Sequence, residues 1–202
     1  MDLRSLPSPI WVLGTDTGVG KTFVVGRIAR AWSEFGPVVY RKPFQTGVDR
    51  PDHPQADQSA IAGPGITAET CVLLREPLSP MAAAAKEGRT LDLDAIKRWC
   101  LEPPPTGGRL LLEAAGGVMV PLAGTVHFLA WASDLGIPAV VVARGGLGTL
   151  NHTLLTCEAL MLRGWRIPAV LLNPGADGSH AAAAENAGIL ARFLPLPVHV
   201  VD

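Results

Sequence analysis

Short runs of consecutive apolar residues alternate along the chain with longer segments of mixed composition. Apolar runs without a polar break indicate strands buried on both faces, as in a parallel sheet between two layers of helices. The pattern predicts strands at Pro9–Leu13, Pro37–Tyr40, Arg109–Leu112, Pro138–Ala143, Pro168–Leu172 and Pro197–Val201. It predicts helices at Gly20–Glu34, Leu93–Cys100, Val126–Leu135, Leu150–Leu162 and Ser179–Phe193. This repeat indicates an α/β fold with a mostly parallel sheet of about seven strands and helices on both faces.

The remaining segments connect these elements within a single unit. Pro51–Pro64 and Pro103–Gly108 are rich in proline and glycine and are predicted to be loops. The sequence shows no internal repeat, low-complexity segment or linker. A length of 202 residues suits one α/β domain. We therefore predict a single domain over residues 1–202.

Composition and charge exclude several classes of protein. Hydrophobic residues make up 48% and charged residues 17%, a balance that excludes intrinsic disorder. The formal net charge of -1 gives no basic surface for nucleic acid or anionic membrane. No run approaches the roughly 20 apolar residues of a membrane span, and Met1–Pro9 lacks the features of a secretory leader. Cys71, Cys100 and Cys157 are scattered without a CxxC spacing, so we expect buried, reduced thiols in a cytoplasmic protein.

A glycine-rich segment, residues 14–22, lies between the first predicted strand and the first predicted helix. Its sequence is GTDTGVGKT. Backbone N–H groups and a helix N-terminus in this setting can surround phosphate oxygens, and Gly18 and Gly20 permit close backbone approach. Lys21 would then bridge the β- and γ-phosphates and the Thr22 hydroxyl would bind Mg²⁺. The segment predicts a phosphate-binding P-loop.

The spacing within this segment is a variant of the usual P-loop pattern. Four residues normally separate the first glycine from Gly-Lys, and counting back from Gly20 reaches Thr15 and not Gly14. The alternative is an ordinary glycine-rich turn after a strand. The Gly-Lys-Thr triplet at a strand–helix junction favours the phosphate loop.

Two acidic residues are candidates for the metal site. Glu113 directly follows an apolar strand, at the sheet edge where parallel strands place ligands. A carboxylate in that position needs a partner, and a hard cation is a natural one; the alternative is a salt-bridged glutamate at a strand end. Asp57 lies in a polar loop and by itself indicates an N-cap or a solvated acid.

Two further segments have chemistry of their own. Lys42 follows the second predicted strand and would face the same crevice, where it could neutralise phosphoryl charge; the alternative is a surface lysine. A glycine-rich turn, residues 145–148, precedes Asn151 and His152 at a helix start and is a second candidate anion site. There the alternative is a simple N-cap at Thr149 or Asn151.

In this order the segments resemble the dethiobiotin synthetases, the ATP-dependent cyclo-ligases of biotin biosynthesis. The matching segments are GTDTGVGKT (14–22), KPFQTG (42–47), the loop of Asp57, LLEAAGG (111–117), GLGTLNH (146–152) and LLN (171–173). The resemblance implies that an amine of 7,8-diaminononanoate captures CO₂, supplied as bicarbonate, to form a carbamate. ATP then phosphorylates the carbamate, and the second amine closes the ureido ring with release of ADP and phosphate. The resemblance also implies a homodimer.

The resemblance assigns roles residue by residue. Lys21, Lys42 and Thr17 would be catalytic, around the γ-phosphate and the carbamate. ATP would be bound by Gly18, Val19, Gly20, Lys21, Thr22 and Asn173, the last at the adenine ring. Substrate would be bound by Thr46 and, across the dimer interface, by the turn of Gly148, Thr149, Leu150 and Asn151. Mg²⁺ would be held by Thr22, Asp57 and Glu113. Two lysines and a divalent ion would offset repulsion between carbamate and triphosphate.

The chain departs from the family pattern at four places. Gly18 stands where some members carry glutamate and others glycine, which we interpret as variation between subgroups. Ala114 stands where glycine is usual, and we expect its methyl group to crowd the substrate. The single tyrosine, Tyr40, is not in the late helix from which some members contact the substrate carboxylate, so that contact is expected to be absent. The sequence ends at Asp202, so a terminal helix of longer relatives is also expected to be absent.

Two other functions fit a P-loop domain. One is a related phosphorylating amide ligase of the cobyric or cobyrinic acid type, but 202 residues leave no room for the glutaminase domain those enzymes need. The other is a nucleotide switch of the chromosome-partitioning type. That class has a signature lysine early in its loop, where this chain has Asp16.

Overall fold

The computed structural model describes residues 1–104, 107–175 and 180–201. Its strands are β1 (Ile10–Gly14), β2 (Val38–Thr46), β3 (Ile66–Leu74), β4 (Arg109–Gly117), β5 (Pro121–Ala123), β6 (Val126–His127), β7 (Ala139–Arg144), β8 (Val170–Asn173) and β9 (Val198–Val200). Its α-helices are α1 (Lys21–Ser33), α2 (Asp57–Ile61), α3 (Pro80–Lys86), α4 (Leu93–Leu101), α5 (Phe128–Ala132), α6 (Thr149–Met161) and α7 (His180–Phe193). Single 3₁₀ turns lie at Leu3–Ser5 and Ser133–Leu135.

Seven of the strands form one parallel sheet in the order β3-β2-β4-β1-β7-β8-β9, while β5 and β6 form a small antiparallel ribbon. Strand β1 lies in the middle, paired with β4 on one side and β7 on the other. The predicted α/β architecture is confirmed. The segment after β1 therefore emerges at the centre of the carboxyl edge, where open parallel sheets bind ligands.

Alternate residues of β1 face two separate cores. Trp11 and Leu13 belong to one buried cluster, and Ile10 and Val12 belong to the other. Because successive side chains of a strand point to opposite faces, an uninterrupted apolar strand needs a layer of packing on each side. The helices supply those layers, which is the arrangement the apolar runs predict.

The main differences from the predicted strands lie at one side of the sheet. The second strand is much longer than Pro37–Tyr40, because it pairs with β3 as far as Thr46. Strand β3 itself was not predicted. It lies at the edge of the sheet, and most of its side chains are only partly buried or exposed, so its apolar run is limited to Cys71–Leu74. Strand β4 likewise continues past Glu113 to Gly117.

Several helical segments also differ from the prediction. Residues 126–135 form strand β6, the short helix α5 and a 3₁₀ turn in place of one helix. The predicted loop Pro51–Pro64 contains helix α2, and helix α3 was not predicted. Ser179, the predicted start of the last helix, and residues 105–106 of the second predicted loop lie outside the described residues.

Two further predictions concern membrane spans and the burial of the cysteines. None of the helices among the described residues is long and apolar enough to cross a bilayer. Cys100 and Cys157 are buried free thiols, and burial raises the pKa of each to about 12. Cys71 is exposed, so the prediction of a buried thiol was wrong there, because it lies on the edge strand β3.

Candidate active site

The predicted phosphate loop, residues 14–22, runs from the end of β1 into the first turn of α1. The Thr15 N–H donates to the Val142 carbonyl of β7 at 3.0 Å, which anchors the start of the loop to the sheet. Gly18 and Gly20 have φ values of 71° and 96°, in the left-handed region that glycine adopts without strain. Thr17, Gly18, Gly20, Lys21 and Thr22 line a cavity.

Asn173, at the end of β8, packs directly against this loop. Its side-chain Nδ2 donates to the Val19 carbonyl at 3.1 Å, and its Oδ1 accepts from the Gly175 N–H at 3.1 Å. A Cβ atom at Gly20 would lie 1.8 Å from Asn173 Nδ2. Because position 20 is glycine, Asn173, the residue predicted to contact the adenine ring, has room to lie against the loop.

Replacing Gly20 by alanine should disturb both the loop and Asn173. The left-handed backbone and the clash are expected to lower the free energy of unfolding by about 1–3 kcal/mol. We expect the Kd for ATP to rise at least about tenfold, because the loop amides lose their arrangement around phosphate. Thermal denaturation and calorimetry measure the two effects.

The matched control for this change is Gly188→Ala. Gly188 lies within α7 and a Cβ atom there meets open space, so alanine should leave ATP binding unchanged and stabilise the helix slightly. If Gly20→Ala melted at the wild-type temperature and bound ATP with wild-type affinity, the close approach of Gly20 to Asn173 would have no effect on stability or ATP binding.

Lys21 is a buried cation at the start of α1, with only 7% of its surface exposed. Its Nζ donates to the Asp16 carbonyl of the same loop at 2.9 Å. Burial lowers the pKa of Lys21 to about 8, although the nearby Glu113 carboxylate opposes this shift. The side chain is therefore a poorly solvated positive charge that a triphosphate would stabilise.

Glu113 is the centre of a buried polar network. It is 1% exposed and accepts three hydrogen bonds. The Thr22 hydroxyl and the Lys42 ammonium each donate to Oε1 at 3.0 Å. The Tyr40 hydroxyl donates to Oε2 at 2.9 Å. These donors satisfy a carboxylate that would otherwise be costly to bury.

Lys42 connects the two predicted metal-binding acids. Its Nζ forms ion pairs with Glu113 and with Asp57, which begins α2. Burial lowers the pKa of Lys42, but the Glu113 and Asp57 carboxylates more than offset this effect, so that its pKa is raised. It does not follow the strand as predicted, because β2 continues to Thr46, and at 5% exposure it is not a surface lysine.

These side chains surround a cavity of about 710 Å³, a size that suits a small-molecule ligand. Thr46 lines it, together with Phe44 and Gln45 of β2, which were not predicted. Residues Pro77–Pro80, before and at the start of α3, form another unpredicted wall. The sequence feature that could have indicated this helix start is Ser79, which accepts from the Ala82 N–H as the N-cap of an alanine-rich helix.

A second cavity of about 360 Å³ is lined in part by Thr15, Asp16 and Thr17 of the phosphate loop. It shares Thr17, Gly116 and Val120 with the first cavity. Its apolar wall is formed by Val118, Met119, Val120, Leu155 and Ala159. The two cavities together offer a charged region beside an apolar one.

The predicted substrate turn lies apart from both cavities within one chain. Gly148 is the N-cap of α6, with φ 86°, so neither Thr149 nor Asn151 caps this helix as the alternative proposed. Thr149 is buried and its hydroxyl lies 3.3 Å from that of Thr153. Leu150 is half-buried and Asn151 is exposed. The described lining of the two cavities contains none of these residues.

Ala114 does not crowd the site, contrary to the expectation from the family pattern. Its side chain belongs to the hydrophobic core, whereas Glu113 and Ala115 line the larger cavity. The reason is the alternation of side chains along β4, which turns position 114 to the opposite face.

The donor atoms around Glu113 suit magnesium. Thr22, Asp57 and Glu113 supply only hard oxygen ligands, as Mg²⁺ prefers beside a phosphate. Among the described residues no cluster of three or more His, Cys, Asp or Glu forms a site for a metal ion. A divalent ion here would therefore share its coordination with phosphate oxygens and water, and the residues present fit such an ion.

Comparisons with known proteins decide the family. A family model described as an AAA domain matches residues 9–199. The ATP-dependent dethiobiotin synthetase of Paramagnetospirillum magneticum is 39% identical over 93% of this chain and 88% of its own length. That of Chlorobaculum tepidum is 34% identical over 91% and 80%. The chain belongs to the dethiobiotin synthetase family. Residues of its P-loop, KPFQTG and LLEAAGG segments line the larger cavity.

The same fold occurs in proteins with other functions. A ParA family ATPase from Chlorobium tepidum superposes with a TM-score of 0.56, covering 96% of this chain and 83% of its own, at 12% identity. A likeness at that identity concerns the architecture alone. The dethiobiotin synthetase relatives, at more than twice that identity, favour the ligase over the partitioning-type switch.

Proposed function

We propose that this protein is an ATP-dependent dethiobiotin synthetase. The observation that carries the proposal is the convergence of Lys21, Lys42 and the Thr22–Glu113 pair on one cavity beside the phosphate loop. In the proposed reaction the enzyme carboxylates 7,8-diaminononanoate with CO₂, phosphorylates the carbamate from ATP, and closes the ureido ring to give dethiobiotin, ADP and phosphate. The 34–39% identity to named synthetases supports this chemistry.

The phosphate loop has the task of holding the triphosphate. Its amides, with Gly18 and Gly20 in left-handed conformations, would surround the β- and γ-phosphates, and Asn173 would meet the adenine ring. When bound, Mg²⁺ would be held by Thr22, Asp57 and Glu113 and would neutralise phosphate charge. Lys21 would leave the Asp16 carbonyl to bond to the phosphates.

The catalytic task is to bring two anions together. A carbamate is an anionic nucleophile and the γ-phosphate is its anionic target, so positive charge at the reacting atoms lowers the barrier. Lys42, Lys21 and Thr17 would supply that charge and a hydroxyl donor, with Thr46 beside the reacting end of the substrate. The burial of both lysines strengthens their interaction with transferred charge.

The smaller cavity suits the alkyl chain of the diamine. Its wall of Val118, Met119, Leu155 and Ala159 can cover methylene groups, while Thr17 joins it to the larger cavity. We infer that the distal carboxylate is bound by Gly148–Asn151 of a partner subunit, because this turn lies outside both cavities of its own chain. The family resemblance implies the same homodimer.

A cytoplasmic location completes the proposal. All three cysteines are free, and the two buried ones have thiol pKa values near 12, so they remain protonated and unreactive. Such thiols suit a reducing compartment, where bicarbonate and ATP are at hand.

Phosphate release tests the proposed function directly. We expect purified protein with Mg·ATP to release phosphate only when both diaminononanoate and bicarbonate are present, with one dethiobiotin formed per phosphate. The expected dependence follows because the carbamate is the phosphoryl acceptor. ATP hydrolysis at an equal rate without the diamine would instead support the partitioning-type switch.

A further inference from the structure

Tyr40, the single tyrosine of the chain, has no assigned part in the proposed reaction. It lies in β2, two residues before Lys42, and is fully buried. Its hydroxyl donates to Glu113 Oε2 at 2.9 Å. The described lining of the larger cavity does not include Tyr40, so the phenol reaches the carboxylate from behind.

The two oxygens of Glu113 have different surroundings. Oε1 accepts from Thr22 and Lys42, both of which line the cavity. Oε2 accepts from Tyr40, which belongs to the core between the sheet and α1. Both oxygens are therefore hydrogen-bonded, Oε1 to two donors that line the cavity and Oε2 to one donor in the core.

The position of the phenol is fixed by the sheet itself. Tyr40 pairs in register with Leu111 of β4, two residues before Glu113. Both side chains are buried, so neither can turn away without disturbing the core. The hydroxyl is consequently a preorganised donor to Oε2.

We propose that Tyr40 is a positioning residue that reserves Oε2 of Glu113, leaves the cavity-side Oε1 as the oxygen that a divalent ion would reach in exchange for one of its two present donors, and so favours Mg²⁺ over Ca²⁺. Calcium takes six to eight oxygens and commonly uses both oxygens of a carboxylate, whereas magnesium takes fewer, closer ligands. Hydrogen bonds to a metal-binding carboxylate tune affinity in this way. The inference rests on the proposed function, because it assumes a metal–nucleotide site.

Tyr40→Phe removes this one oxygen and keeps the ring. Calorimetry with ADP alone, Mg·ADP and Ca·ADP should show Mg·ADP binding weakened about 10- to 100-fold. Ca·ADP should weaken much less, so the ratio of calcium to magnesium affinity rises, and metal-free ADP should bind as to wild type. An equal loss for all three ligands, or no loss for any, would overturn the inference.

A double-mutant cycle separates positioning from general damage. If Tyr40 acts through Glu113, then Tyr40→Phe should change Mg·ADP affinity no further in a Glu113→Gln background. The matched control is Ser133→Ala, which removes a hydroxyl outside the site. That hydroxyl accepts a hydrogen bond of 3.0 Å from Trp165 Nε1. This variant should leave all three affinities unchanged. Additive losses in the cycle would contradict the proposal.

A second measurement needs no substitution. Protein labelled with 3-fluorotyrosine gives one fluorine resonance, since the chain has one tyrosine. We expect Mg·ADP to leave that resonance near its metal-free position and Ca·ADP to shift it, because calcium draws Oε2 away from the phenol. Identical spectra with the two metals would overturn the inference. Failure of the wild type to bind Mg·ATP or form dethiobiotin would overturn the proposed function instead.

Discussion

Lys21→Ala should lower kcat/KM for ATP by about three orders of magnitude or more, a loss expected for removal of a principal phosphate-binding charge. Lys21 is the buried cation of the phosphate loop, and its Nζ is held 2.9 Å from the Asp16 carbonyl until a stronger acceptor is present. Without it the loop amides face the triphosphate with much less positive charge. Calorimetry with Mg·ATP and a dethiobiotin assay measure the loss of binding and of product.

The same substitution should not unfold the protein. The folded-state pKa of Lys21 is about 8, against an ordinary 10.5, because burial disfavours its charge. Between these pH values the unfolded chain retains the proton that the folded chain has lost. The wild-type free energy of unfolding should therefore rise with pH from about 8 to 10.5 relative to Lys21→Ala, and at neutral pH the variant should be no less stable.

Lys97→Ala provides the control for lost charge. Lys97 forms an ion pair with Asp134 at 2.8 Å, outside the described lining of both cavities. It should bind Mg·ATP and turn over as the wild type does. If Lys21→Ala also kept wild-type nucleotide binding and product formation, the phosphate-loop assignment would be wrong.

Local features of the sequence sufficed to predict the phosphate loop. Nine consecutive residues between a strand and a helix determine it, and the turn conformations depend on glycines within the same stretch. Glu113 was also predicted as a candidate metal ligand from adjacent residues alone, because it follows a run of leucines. Such features need no knowledge of which strands pair.

The partnerships between distant residues depended on sheet order. Lys42 forms ion pairs with both Asp57 and Glu113. It reaches Glu113, which lies 71 residues after Lys42 in the chain, because β2 lies next to β4. No spacing in the sequence shows that adjacency. The role of Tyr40 was missed for the same reason: a tyrosine in an apolar strand is typical of a core, and only the register with β4 brings its hydroxyl to a carboxylate.

The edge of the sheet was the least predictable part of the fold. Strand β3 is only partly buried or exposed from Thr67 to Cys71, and its apolar run is limited to Cys71–Leu74. Without β3 the sequence gives no reason for β2 to continue past Tyr40, and Lys42 is expected at a strand end. Pro77–Pro80 follow β3, which is why that wall of the cavity was missed as well.

Lys42→Met should lower kcat by about a thousandfold, while the Kd for Mg·ATP changes by less than about tenfold. Methionine keeps an unbranched chain of similar length but removes the ammonium that would face the carbamate and the transferred phosphoryl group. Single-turnover rates and calorimetry separate these quantities. Weaker nucleotide binding with an unchanged kcat would make Lys42 a binding group only.

Stability should respond to this change in a way that depends on the metal. Without the ammonium, Glu113 and Asp57 lose their shared cation, and removing one partner of a buried ion pair costs about 3–5 kcal/mol. Because their oxygens then suit a divalent ion, Mg·ADP should restore part of the lost free energy of unfolding, up to about 1.4 kcal/mol more than it adds to the wild type, the limit that a tenfold tighter Kd sets. Denaturation with and without Mg·ADP measures the recovery.

Arg41→Met is the matched control, since Arg41 is the neighbouring buried cation of the same strand. Its guanidinium pairs with Glu69 at 2.9 Å and donates to the carbonyls of Trp99 and Glu102 near the end of α4, outside the described lining of the cavity. That variant should also lose stability, but Mg·ADP should stabilise it no more than it stabilises the wild type, and kcat should stay close to the wild-type value. An equal response of both variants to Mg·ADP would show that the carboxylates beside Lys42 do not bind the metal.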